Sequence, residues 1–368
     1  MRIISKPVDI NADTRLLDEM TAPDRTIFLD IETTGLSAAK DRIYLIGCLY
    51  RQEGNRSWNL IQWFDQTGLE EKEVLSSFLI FSSSYDALVH YNGDRFDLPF
   101  IKERIAACGL EDTLSRMDSV DLYRILKPAR RLLGLPDYRQ QTVEAFLGTG
   151  RTEASAGKDL IKDYRQFIAS QSTALFDRLT GHNEADLCGL ACLSAVMVYA
   201  KLPSLPLQIR RAQANAYTDY DGTPGEELFL FFRTAIPLPA PIYAGADRCY
   251  IKIDGGEGIL KVPLFTGELK YFYAGYKDYY FLPVEDMAIH KNLARYVEKS
   301  HRIQARPETC YTRRQGTYLP QWDLFRTPFF KRSYEDPAIY FELTDEYKKD
   351  RHFLSEYASY VLSHIMNP

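Results

Sequence analysis

Two carboxylates, Asp30 and Glu32, close an apolar run in "TIFLDIETTGLS" (26–37). Residues i and i+2 of a strand project from one face, and at about 3.3 Å per residue their Cβ atoms stand roughly 7 Å apart. Two like charges held that close raise the energy unless something neutralises them. The fragment alone leaves two explanations open: a solvated strand end or a divalent-metal site. Three further stretches carry acids. "HYNGDRFDLPFIKERI" (90–105) places Asp97 at the start of an amphipathic helix, where an Asp also makes a good N-cap. "GHNEADLCGLACL" (181–193) opens a helix in which His182 and Asp186, four apart, share one face; capping or surface pairing is the plainer role for such a pair. "DSVDLYRILKP" (118–128) adds Asp118 and Asp121, either of which can end a loop.

These side chains need elements to hold them. Strands are predicted over 26–31, 43–50 ("IYLIGCLY"), 58–64 ("WNLIQWF") and 87–91, from their β-branched and aromatic content. Helices are predicted over 68–82, 97–108, 139–147, 158–170 and 183–199. Strands that follow closely and are then separated by helices suit a mixed sheet with an antiparallel edge, covered by helices. The proline-punctuated "KLPSLPLQ" (201–208) marks a boundary. The expected organisation is an N-terminal extension (1–23), an α/β domain (24–203) and a smaller domain (204–368). The last holds 17 of the 25 tyrosines. Its glycine-separated strands ("RCYIKID", "GILKVPLF", "LKYFYAGY") and helical patterns near 285–299 and 345–365 read as a Tyr-rich α+β domain.

Composition excludes some classes. At 368 residues, two domains are the prior. Hydrophobic residues are 45% and charged residues 26%, which is ordinary for a globular chain. The N-terminus does not resemble a signal peptide, and no apolar run approaches the ~20 residues needed to span a bilayer. Six cysteines lie scattered without metal-ligand spacing, so a reducing cytoplasm without membrane association is expected. The net charge of −5 does not advertise a nucleic-acid partner.

"FLDIETTGL", "NGDRFDLPF" and "HNEADLCGL", in that order, resemble the three exonuclease motifs of the DEDD (DnaQ-like) superfamily, whose fold is ribonuclease-H-like. The wording is most similar to the YprB-like branch, which "QTVEAFLGTGR" (141–151) also resembles. The resemblance spans about 24–200. It implies a ribonuclease-H-like mixed sheet with flanking helices, metal-binding carboxylates at Asp30, Glu32, Asp97 and Asp186, and a general base at His182. The interval from His182 to Asp186 is four, that of Tyr-type members, where many His-type members have five. Asp121 matches a recurrent acidic position with a supporting role. Four carboxylates on one site would repel by up to ~4 kcal/mol per pair at 4 Å in an effective dielectric near 20. Divalent cations would turn that repulsion into binding, and all-oxygen ligands select Mg²⁺ or Mn²⁺, two ions in this family's mechanism.

The activity so implied is phosphodiester hydrolysis in single-stranded DNA or RNA, by 3′→5′ exonuclease action. The rivals are a structure-specific endonuclease and an inactive nucleic-acid-binding scaffold. Thr33, Thr34, Gly35, Asn92 and Phe96 are candidates for contact with the terminal nucleotide; Gly35 allows close approach, and Phe96 can equally pack inward. Residues 290–333 hold ten Lys/Arg against three Asp/Glu with aromatics interleaved, which suits phosphates and stacked bases as well as a solvated basic face. Arg313 and Arg314 are the substrate-binding candidates there. Glu285, Asp286 and His290 echo the metal motif, with helix-end acids and a surface histidine as the plainer explanation.

Overall fold

Strand β2 (Thr26–Thr33) carries Ile27, Leu29 and Ile31 on one face and Phe28, Asp30 and Glu32 on the other. Both faces of its apolar part are buried, which is why it reads as a continuous hydrophobic run. The computed structural model describes residues 1–52, 57–149, 157–218 and 221–368. It divides into two compact units, one of residues 1–130 and 134–201, the other of 131–133 and 202–368.

In the N-terminal unit, β1 (Arg2–Val8), β2, β3 (Ile43–Arg51), β4 (Trp58–Phe64), β5 (Ala87–His90) and β6 (Asp118–Asp121) form one sheet ordered β1-β4-β3-β2-β5-β6. β1 to β4 pair antiparallel, whereas β2, β5 and β6 run parallel. This is the expected mixed sheet. Helices Glu71–Ser82 and Asp97–Ala107 cover one face through Val74, Phe78, Phe100 and Ile101, which pack on Ile27, Leu29 and Ile31. Helices Gly157–Ser170 and Thr173–Leu193 cover the other, where Tyr164, Phe167 and Phe176 meet Tyr44 and Phe64.

The structure departs from the sequence expectations in several places. Residues 2–8, read as extension, form the edge strand β1; its mostly exposed side chains show no apolar alternation, so only its backbone pairing with β4 makes it a strand. The helix bearing His182 begins at Thr173, and Gly181 lies inside it rather than at its start. Together with the short helical segments after it, this stretch (Thr173–Ser204) is long and apolar enough to cross a membrane. More than half of its most apolar window is buried in this protein, which accounts for its composition as that of a core helix. Finally, 285–299 is no continuous helix: it holds β13 (Met287–His290) and one turn at Lys291–Ala294.

The C-terminal unit is built mostly of strands. β7 (Gln208–Thr218), β8 (Pro224–Arg233), β9 (Ile242–Ala246), β10 (Cys249–Asp254), β11 (Glu257–Phe272), β15 (Tyr311–Gln321), β16 (Phe329–Phe330) and β17 (Ile339–Glu342) make an eight-stranded sheet. The long β11 organises it, pairing with β8 and β10 through its first half and β15 through its second. β12 (Tyr279–Leu282), β13 and β14 (Ile303–Gln304) form a small second sheet. Helix Arg351–Met366 buries Phe353, Tyr357, Val361 and Ile365. All six cysteines are free thiols.

Candidate metal and nucleic-acid site

Asp30 and Glu32 emerge where β2 leaves its neighbours. β3 carries one extra residue against the Glu32/Thr33 step, a bulge in which Tyr44 is the unmatched residue. On the other side, β5 pairs with β2 only as far as Phe28↔Val89. The Ile31 N–H beyond that point favours the charged form of Asp97, the buried first residue of helix Asp97–Ala107. Asp97 is not that helix's N-cap, a position held by Phe96.

Helix Thr173–Leu193 lies over the same face of β2. Its His182 Nε2 is 3.0 Å from Asp186 Oδ2 and 3.9 Å from Glu32 Oε1. The ligand atoms of Glu32, His182 and Asp186 lie within 4.8 Å of one another, as a shared metal ion requires. Because His182 stands mid-helix, a capping role is excluded. Asp30 joins this group electrostatically: burial, then Asp186, Glu32 and Asp97, hold its carboxyl well above the ordinary range. Burial likewise pushes Glu32 up to about 8, against the pull of His182, and Asp97 up to about 7. The Tyr44 hydroxyl, buried and without a well-formed hydrogen bond, faces Glu32 closely enough to favour its ionised form. Carboxylates raised by burial and by one another form a donor set short of positive charge. The set is all oxygen apart from one imidazole, so it fits hard divalent cations such as Mg²⁺ or Mn²⁺.

A buried amide relay, not anticipated from sequence, orients Asp30. Asn183 Nδ2 donates to Asp30 Oδ2 at 2.7 Å, and Asn183 Oδ1 accepts from Gln62 Nε2 at 2.8 Å. Gln62 Nε2 also reaches the Thr180 carbonyl at 2.9 Å, so its donors are spent within the relay. Gly47, paired with Asp30 across the sheet, makes room for it: a Cβ there would lie 1.9 Å from Asn183 Oδ1. A second relay holds Asp186. Gln140 Nε2 donates to the Asp186 carbonyl and to Glu144 Oε1, both at 2.8 Å, and the buried Glu144 occupies the notch left by Gly189. Glu144 belongs to "QTVEAFLGTGR", whose last two residues lie outside the described residues. Gly47 within a strand and Gly189 within a helix were the available signals, since each marks a close approach.

Asp121 organises the turn that leads to Asp97. Its Oδ1 accepts the N–H groups of Asn92 (2.9 Å), Tyr123 (3.0 Å) and Arg124 (3.3 Å), tying the turn before Asp97 to β6 and the helix after it. Beneath that turn, His90 Nδ1 accepts the Gly93 N–H at 3.1 Å, and its Nε2 meets Ser119 Oγ at 2.8 Å. Asn92 adopts φ 61°, a left-handed conformation that this anchoring stabilises.

The remaining candidates fall in different places. Thr33 is buried and donates to the Gly35 carbonyl at 2.7 Å, and Thr34 brackets Arg42 through N–H and hydroxyl. Gly35 accommodates the Asp41 carboxylate, which would clash with a Cβ, so the protein itself already explains the glycine. Phe96 packs inward against Phe100. Arg313 and Arg314 lie in the C-terminal unit and face acids, Glu268 and Asp286 for the first and Glu342 for the second. His290 caps the Lys291–Ala294 turn and Asp286 accepts from Tyr311, so these side chains serve the fold locally.

Residues 27–198 match the RNase_H_2 family model of the RNase_H superfamily. The matched stretch, apart from residues 131–133, lies within the N-terminal unit. It takes in β3 to β6 and nearly all of β2, with Asp30, Glu32, Asp97, His182 and Asp186. Among solved structures, the chain is similar to exonuclease I in a structure bearing on its processivity (14% identity, 57% of this chain and 55% of that one, TM-score 0.28). It is also similar to E. coli exonuclease I with a dT13 oligonucleotide (13% identity, 56% and 54%, TM-score 0.29). The chain spans about half the length of these structures, and a likeness this distant bears on neither substrate nor mechanism. No curated protein matches the chain.

Proposed function

We propose that this protein is a metal-dependent nuclease that hydrolyses phosphodiester bonds of single-stranded nucleic acid, acting as a 3′→5′ exonuclease. One observation carries the reading: Glu32, His182 and Asp186 share one site in an RNase_H-superfamily domain, with Asp30 and Asp97 close enough to perturb it. Asp30, Glu32, Asp97 and Asp186 would hold Mg²⁺ or Mn²⁺, two ions in this proposal, which supply charge neutralisation and Lewis-acid activation of water and phosphodiester. His182 acts as the base, and the Asp186 and Glu32 carboxylates beside its Nε2 stabilise the imidazolium formed when the ring takes a proton. Asn183 and Gln62 keep the Asp30 carboxylate in one orientation, so no reorganisation is needed when substrate arrives.

The test of direction and sugar preference is digestion of 5′-labelled single strands of DNA and of RNA with Mn²⁺ or Mg²⁺. Progressive shortening from the 3′ end supports the proposal. Discrete internal cuts would assign an endonuclease instead, and binding without cleavage under any metal would assign a scaffold.

A further inference from the structure

The C-terminal unit carries a groove of about 600 Å³ bordered by Tyr217, Arg248, Phe265, Trp322, Arg332 and Tyr340. That volume is within the usual range for a ligand site. Arg332 lies over the rings of Phe265 and Tyr340, at 5.2 and 5.3 Å from their centroids. Arg248 donates to the Tyr217 hydroxyl. Among the described residues neither guanidinium forms an ion pair, and both act on the Tyr340 hydroxyl against the opposing Asp336 carboxylate, so two positive charges and one negative bear on one aromatic wall. The nearby acids are already engaged: Asp247 with His364 Nε2 at 2.6 Å, Glu226 with the Thr266 hydroxyl at 2.5 Å, and Asp336 with the Ala338 N–H at 2.9 Å.

The turn that presents Arg248 is strained. Asp247 and Arg248 adopt φ 48° and 65°, where tight hairpins prefer Asn and Gly. The conformation is held from outside the turn, because His364 grips Asp247 while stacked on Trp322 at 3.6 Å. Rings beside two cations without carboxylate partners match an anion with planar groups attached, which is the chemistry of a nucleotide chain.

We propose that this groove binds a segment of single-stranded nucleic acid, with Arg248 and Arg332 on phosphates and the Tyr340 wall against a base. The choice of nucleic acid over another anionic ligand rests on the nuclease reading above. The test is fluorescence anisotropy of a labelled oligothymidylate with the full chain, in chelator, across a range of salt concentrations. Arg248→Ala/Arg332→Ala is expected to weaken binding at least about tenfold and to reduce the slope of log K against log salt by about 1.4, at ~0.7 per phosphate. Arg248→Lys/Arg332→Lys should retain most of the slope. Arg313→Ala/Arg314→Ala should lower it less, since those side chains already face carboxylates.

An unchanged slope in the groove double variant overturns the proposal, as does a larger fall in the Arg313/Arg314 variant or preferential capture of a phosphotyrosine peptide. Because hydrolysis plays no part in this measurement, the two readings fail separately. A strand bound through the groove but never cleaved keeps the groove and removes the nuclease. Cleavage with an unchanged slope does the reverse.

Discussion

Asn183 donates to the Asp30 carboxylate at 2.7 Å across a chain separation of 153 residues, and the glycine opposite Asp30 on β3 is what lets it in. The carboxylate is thereby held from the helix side, on a strand already fixed by its sheet neighbours. Asn183→Ala removes that donor and strips the buried Gln62 amide of one acceptor. A stability loss of about 1–3 kcal/mol is expected, with hydrolysis or metal affinity falling about 10- to 100-fold. Gly47→Ala should move both quantities the same way, since overpacking a buried site costs about 1–3 kcal/mol. Urea unfolding and single-turnover hydrolysis measure the two effects; normal turnover in Asn183→Ala would reduce the relay to packing.

Asp97→Asn separates charge from structure. Burial already holds the carboxyl up near 7, so removing its charge relieves an unfavourable state of the metal-free protein. Thermal unfolding in chelator is expected to show no loss of stability, while hydrolysis disappears. Near-normal turnover would remove Asp97 from the catalytic set.

Stability should depend on pH in a direction that metal reverses. Glu32 titrates near 8 and Asp97 near 7 in the fold, against ~4 in the unfolded chain. The folded protein therefore binds these protons more tightly, and this contribution to stability is present below about pH 4 and is lost as pH rises through 7–8. Cations bind the ionised form, so stabilisation by Mn²⁺ should be larger at pH 8 than at pH 5. Scanning calorimetry with and without Mn²⁺ checks this; equal stabilisation at both pH values would argue against carboxylate ligation.

His182→Ala should lower turnover by about 10²–10⁴-fold, the usual range for loss of a positioned base, while leaving Mn²⁺ affinity close to that of the unaltered protein. A matching fall in Mn²⁺ affinity, followed by calorimetric titration, would make His182 a ligand beside Asp186 instead.

Spacing made two pairs legible in the sequence, Asp30 and Glu32 on one strand face and His182 and Asp186 one helical turn apart, whereas joining them with Asp97 into one set rested on the resemblance of three motifs to the DEDD superfamily. The mixed sheet was legible too, since buried strands declare themselves by apolar runs. Edge strand β1 was not, because its exposed side chains bury no face and its partner is a backbone 50 or more residues away. Gln62, Asn183, Gln140 and Glu144 look like surface amides and acid in the sequence. Their roles depend on which carboxylate or carbonyl the fold brings opposite them. Gly181 misplaced the start of the His182 helix because glycine ordinarily breaks helices, and here nothing crowds it and the helix continues through.

The central claim is that the carboxylate cluster carries out metal-dependent hydrolysis. The most direct measurement follows one 5′-labelled single strand over time in three parallel reactions: protein with Mn²⁺, protein with EDTA, and Asp30→Ala with Mn²⁺. Shortening in the first alone is the result predicted here. Equal cleavage in all three, or an intact strand in the first despite bound Mn²⁺, would contradict it.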